Sequence, residues 1–155
     1  MFGSIRTLVA NLLGEPKSRT EGCRGRLASA ALLTHVATVA NEMSERRREK
    51  LFAVLKHNFG LDDLTTVQLM EDAAAANRKA VDLYGFTRPL NEVLDDKGRR
   101  QAVRMMWEIV YADGGANEFE SNVIWRAADL LGVSSRQRVE LRRQIVAANA
   151  APAHG

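Results

Sequence analysis

The chain holds a single cysteine, Cys23, so no internal disulfide framework is available to it, and a lone thiol fits a reducing compartment. Thr20-Glu21-Gly22 ahead of it does not suit a lipid-attachment site. Aromatic residues make up only 6% of a sequence that is 46% hydrophobic, and the dominance of Ala, Leu, Val, Arg and Glu favours helices over strands. No apolar run approaches the roughly 20 residues that a membrane-spanning helix needs. The opening residues carry spaced rather than continuous apolar positions, with no small-x-small cleavage site after them, so they do not read as a signal peptide. Net charge is also scarce. The 22 basic and 19 acidic residues leave +3, too mild a balance to argue for nucleic acid. HExxH and HxxxH pairings, a Gly-rich phosphate loop and a nucleophile elbow are all missing, which argues against a zinc site and against an enzyme.

A length of 155 residues suits one domain, which at this size hides roughly 68–70% of its unfolded surface. Residues 1–14 read as an amphipathic helix with Phe2, Ile5, Leu8, Val9, Leu12 and Leu13 on one face and Arg6 as the sole charge. Gly14 and Pro16 end it, and residues 15–26 read as a flexible charged linker. The body, residues 27–147, shows about seven helical segments and no strand, followed by a disordered tail at 148–155. Leu27 to Ala40 carries Ala28, Ala31, Leu32, His35, Val36 and Val39 on one stripe. Glu45 to Asn58 follows an N-cap at Ser44, with Leu51, Phe52, Leu55 and Phe59 inward. Leu64 to Asn77 carries Val67, Met70, Ala74 and Asn77 in helical register. Val81 to Phe86 is a short helix, and Thr87 caps another that has Pro89 in its first turn and ends near Leu94. Lys97 to Ala112, Glu118 to Leu131 and Ser135 to Ala147 complete the set.

Sliding the sequence by 72 residues brings its halves into register without a gap: Leu33 on Met105, Ala40 on Ala112, Leu51 on Val123, and Phe59-Gly60-Leu61 on Leu131-Gly132-Val133. This predicts two pseudo-symmetric helix-loop-helix halves in an all-α domain. The loop of the second half, Tyr111 to Glu120, is acidic. Asp113, Glu118 and Glu120 could approach one point and offer oxygens to a hard cation, Ca²⁺ or Mg²⁺. It is not an EF-hand, because Glu118 and Ile124 stand where a glycine and a bidentate glutamate are required. The competing reading is capping: Asn117 and Glu120 form an N-x-x-E pair, and Glu118 lies in a first turn that favours negative charge. In the first half Asn41 takes the place of Asp113 and can still lend a carbonyl oxygen, whereas Arg48 takes the place of Glu120 and opposes a cation.

Several stretches carry a family resemblance: Leu32-Leu33-x-x-Val36-Ala37, Phe59-Gly60-Leu61, Asp82-Leu83-Tyr84, Phe86-Thr87-Arg88-x-Leu90-Asn91, Trp107-Glu108-x-x-Tyr111-Ala112-Asp113-Gly114 with Glu118-x-Glu120, and Asp129-Leu130-Leu131-Gly132-Val133. Over roughly Leu27 to Arg143 the chain resembles the TerB-like domains. The resemblance implies a cytoplasmic, non-catalytic helical domain linked to tellurite resistance and stress response. It also implies divalent cations at acidic loop residues, here Asp113, Glu118, Glu120 and Asn41, and protein partners. A helical interaction module whose acidic loop is only structural is the alternative.

Outside the loop, Trp107, Trp125, Met105 and Met106 are expected in the core, with His35 partly buried. Arg46-Arg47-Arg48-Glu49-Lys50 reads as a solvated helix face. Arg136, Arg138, Arg142 and Arg143 on the last helix could touch phosphates, but nothing interleaves with them to read a nucleic acid, so nucleic acid is not an expected partner. Residues 2–13 could dock on the domain, pair with another chain, or make peripheral contact with the inner face of a membrane.

Overall fold

From Ala28 to Ala37 every residue except His35 is buried, and half of these ten positions are alanine or serine small enough for close helix approach. A helix apolar on all sides has to be surrounded. The computed structural model, which describes residues 18–150, places this segment at the centre of the domain. It belongs to α1 (Ser18–Thr38), which packs most extensively on α3 (Asp63–Lys79) and α4 (Tyr84–Val93). It also touches α2 (Glu45–Phe59), α5 (Asp96–Val110) and α6 (Glu118–Leu130). The last helix, α7 (Ser135–Ala150), lies against α5 and α6. The described residues are therefore seven helices with no strand, the all-α architecture that the periodicity predicts.

Buried polar groups inside α1 satisfy themselves locally; Thr34 Oγ1 donates to the Ala30 carbonyl at 2.8 Å. The core continues through Leu51 and Leu55 of α2, Leu90 of α4, Val103, Met106, Trp107 and Ile109 of α5, and Ile124 of α6, each at most 1% exposed. The duplication is visible in how two helices stop. Gly60 and Gly132 both adopt left-handed backbone, at φ 62° and 76°. The next N–H in each case, from Leu61 and Val133, reaches back to the carbonyls of Lys56 and Ala128 at 3.0 and 2.9 Å. Each helix thus ends in the same glycine-dependent motif.

Four expectations are corrected. The linker predicted at 15–26 is helical from Ser18 onward. A Cβ on Gly25 would sit 2.8 Å from Val93 Cγ2, so this glycine lets α1 and α4 approach and is not a hinge. The inward stripe of α3 is Thr66, Leu69 and Ala73, and Val67 is 44% exposed. Two short helices across residues 81–94 are one, Tyr84–Val93, with Pro89 inside it. Thr87 is buried rather than capping, and burial of Phe86, Thr87 and Leu90 outweighs the one backbone bond that Pro89 cannot make. Residues 148–150, assigned to a disordered tail, continue α7. The predicted helix at 1–14 and residues 151–155 lie outside the described residues.

Candidate functional site

Each helix-loop-helix half begins its second helix with a side-chain cap. Ser44 Oγ accepts the Arg47 N–H at 3.1 Å at the start of α2. At the start of α6, Asn117 Oδ1 accepts the Glu120 N–H at 2.7 Å, and Glu120 Oε1 accepts the Asn117 N–H at 3.0 Å. This is a complete capping box, as the N-x-x-E spacing predicts. Aligning these caps places Arg47, not Arg48, in the position equivalent to Glu120. The shift of 72 that matches Gly60 to Gly132 therefore slips by one residue at the helix starts, because α2 holds one more residue between cap and glycine.

The two equivalent residues face each other across the domain. Arg47 Nη1 and Nη2 donate to Glu120 Oε2 and Oε1 at 2.6 and 3.1 Å, a bidentate pair. Nη1 also donates to the Ala37 carbonyl at 3.1 Å, and Nη2 to the Val110 carbonyl at 3.0 Å. These carbonyls belong to the last turns of α1 and α5, where helices lack donors and carry partial negative charge. Nε lies 3.2 Å from Asp113 Oδ2, close enough for an ion pair but too poorly aligned for a hydrogen bond. One guanidinium thus fastens four helices: it extends from α2, ends α1 and α5, and neutralises the first turn of α6. Ser44 adds a further tie, since its hydroxyl stands 2.8 Å from both Asp113 carboxylate oxygens and donates to one at a time.

Burial decides the electrostatics. The Arg47 and Glu120 side chains are 7% and 4% exposed, whereas that of Asp113 is 33% exposed. Burial opposes ionisation of Glu120, but the Arg47 hydrogen bond, the Asn117 N–H and the Arg47 charge outweigh it and hold the carboxyl below its ordinary value of 4.5. A depressed folded-state value contributes stability above the ordinary one and loses it as pH falls through the folded one. The stability gap between the natural chain and Glu120→Gln, read from urea denaturation, is therefore expected to be full at pH 7 and to close progressively below pH 4.5. A gap independent of pH would show that Glu120 is not a charged partner.

The four residues predicted as cation ligands have different fates. Glu120 is committed to Arg47 and Asn117. Asp113 stands at the rim of the same cluster. Glu118 and Asn41 are exposed and share no hydrogen bond with it. Among the described residues no three His, Cys, Asp or Glu side chains gather in a group that could hold a metal. Between Asp113 and Glu120 stands the Arg47 guanidinium, bonded to Glu120 and paired with Asp113.

Arg47 is the residue of this cluster that the sequence reading misses, since it belongs to the run read as a solvated face. Its neighbours Arg46, Arg48 and Glu49 are indeed exposed. The available signal was spacing: Arg47, Leu51 and Leu55 recur every four residues and form the buried stripe of α2. On α7, Arg138 lies 4.9 Å over the Trp125 ring and Arg142 lies 5.1 Å over that of Trp107, so both work in packing. His35 is half-buried, with Nδ1 3.0 Å from Asn77 Oδ1.

The family model described as Tellurite resistance protein TerB matches residues 26–143, which spans both loops and all the helix ends that meet at Arg47. The chain belongs to the TerB family. No curated protein and no solved structure matches it. The TerB match begins within α1 and ends within α7, so residues 1–25 stand outside it. No helix among the described residues of this TerB domain is long and apolar enough to cross a membrane.

Proposed function

We propose that this TerB-family chain is a non-catalytic interaction domain whose acidic loop is structural, with Arg47 supplying from within the positive charge that the loop carboxylates require. The observation that carries this reading is the buried contact of one guanidinium with Glu120, Asp113 and the carbonyls of Ala37 and Val110. A carboxylate and helix-end carbonyls are the hard oxygen donors that Ca²⁺ would otherwise take. Here a side chain meets the same need permanently, so the fold of the loop does not depend on ion supply. The partners are proteins, in keeping with the helical surface, and a role in tellurite resistance is the one that the family's name suggests.

Calorimetric titration of the full chain with Ca²⁺ and with Mg²⁺ into the millimolar range tests the reading. The expected result is no saturable heat. Asp113→Asn is expected to lower the melting temperature slightly, through weakened contacts to Ser44 and Arg47, and to leave the ion response unchanged. A saturable heat in the natural chain that disappears in Asp113→Asn would overturn the proposal and favour a cation held by Asp113, Glu118, Glu120 and Asn41.

A further inference from the structure

Resting on that interaction role, we propose that the partner is a second copy of this chain, docked in the apolar groove between α2 and α3. The groove, of about 440 Å³, has a floor of Phe52 from α2 and Val67, Met70 and Ala74 from α3. Helix α3 is apolar on two faces. Thr66, Leu69 and Ala73 are buried in the core, and Leu64, Val67 and Ala74 recur at helical spacing on a second stripe. That stripe stays in water, with Leu64 83% and Val67 44% exposed. A surface helix needs one apolar stripe to join its core, so a second marks a surface to be covered.

Charge selects the occupant. Arg48 and Glu49 stand on the α2 wall of the groove and Glu71 on the α3 wall, all exposed. None of the three has an ion-pair partner among the described residues. Glu49 lies on the ridge shared with the neighbouring groove of α2, α5 and α7, which leaves Arg48 and Glu71 as the opposed pair across the apolar floor. A twofold contact requires one patch to complement itself, and a cation on one wall with an anion on the other meets that requirement. A twofold axis along the groove sets the α2 wall of one copy against the α3 wall of the other, so that Arg48 of each copy meets Glu71 of the other.

Other occupants fit less well. A nucleic acid or an anionic bilayer calls for cations, and Glu49 and Glu71 stand on this rim. A second apolar groove, of about 400 Å³ between α1, α3 and α4, shows the contrast: Arg24 and Lys79 are the charged residues that line it, so two copies of it would repel. Lys56, which lies 6.0 Å over the Phe52 ring, is already paired with Asp63 at 2.7 Å. That leaves Arg48 and Glu71 to set the register between copies.

Sedimentation equilibrium of the full chain, over a concentration series reaching the high-micromolar range, tests the pairing and reads nothing of the acidic loop that the Ca²⁺ titration reads. A reversible monomer–dimer equilibrium is expected. Leu64→Asp and Val67→Asp, both at exposed positions, are expected to raise its dissociation constant at least about tenfold while the helical circular-dichroism signal persists. Arg48→Glu and Glu71→Arg should each weaken the dimer severalfold. The two combined in one chain should recover most of that loss, since each copy then offers the reversed pair. Three results would overturn the proposal: a chain monomeric at every concentration, which leaves the groove to a different protein; a dimer that Val67→Asp does not weaken, which places its contact elsewhere; or a combined variant no tighter than the single ones.

Discussion

Arg47→Ala is expected to lower the stability of the domain by about 3–5 kcal/mol, measured by urea denaturation at neutral pH. The loss has two sources. Glu120 is left as a buried carboxylate without its cation, and the carbonyls of Ala37 and Val110 lose their donors. Domains of this size are stable by only about 5–15 kcal/mol in total, so part of the population should unfold at growth temperature. Arg47→Lys should fall between the two, because one ammonium cannot address both Glu120 oxygens and two carbonyls with a planar fork.

Two further variants separate charge from shape. Pairing Arg47→Met with Glu120→Gln removes the buried charge along with its partner, and should recover much of what Arg47→Ala loses. Millimolar Ca²⁺ should raise the melting temperature of Arg47→Ala but not that of the natural chain, since Glu120, Asp113 and the two carbonyls then form an oxygen set without its cation. A loss below about 1 kcal/mol in Arg47→Ala would mean that water reaches Glu120 and that the pair behaves like a surface ion pair. Absence of Ca²⁺ rescue would restrict this oxygen set to a guanidinium.

Trp107→Ala is expected to cost about 3–5 kcal/mol for a different reason, the cavity it leaves. Trp107 is fully buried in α5 among Val103, Met106 and Val110, which are themselves fully buried. Its ring meets Tyr111 edge-on at 6.0 Å, and Arg142 of α7 covers it at 5.1 Å. Removing the indole therefore loosens α7 and the turn that carries Asp113, as well as the centre of the core. Trp107→Phe should cost much less. It gives up some volume, but it also removes an indole N–H that is buried with no acceptor. If Trp107→Ala and Trp107→Phe lose the same amount, the penalty does not follow the size of the cavity and this account fails. Tryptophan fluorescence then reports Trp125 alone, so unfolding of the variants is best followed by circular dichroism.

How much of this was readable depended on how each helix meets its surroundings. α2 and α5 have one buried and one wet face, and their extents were predicted to within about two residues at each end. Caps are local, so Ser44, Asn117 and the Glu120 capping box could be read from neighbouring residues alone. α1 misled because it is buried on nearly every side between Ala28 and Ala37, so the stripe from Ala28 to Val39 covers only part of what is buried. Its early glycines imitated a linker although Gly25 packs on Val93. α4 misled because a proline and a threonine carry strong local signals that burial on α1 overrides.

The sequence by itself determined the helical class, the caps, the closing glycines and the duplication, because these follow from backbone periodicity and from contacts within a single turn. It also presented an acidic loop with carboxylates in search of a cation. Only the tertiary structure decided what satisfies them. Three basic residues stand in a row at the start of α2, and their charge does not distinguish them; only the spacing to Leu51 and Leu55 favours Arg47. The angle at which α2 meets the ends of α1 and α5 brings Arg47 alone out of water and against Glu120, and the same packing turns Arg46 and Arg48 to solvent. Desolvation, a property of the assembled fold, selects the residue that the charge pattern leaves open.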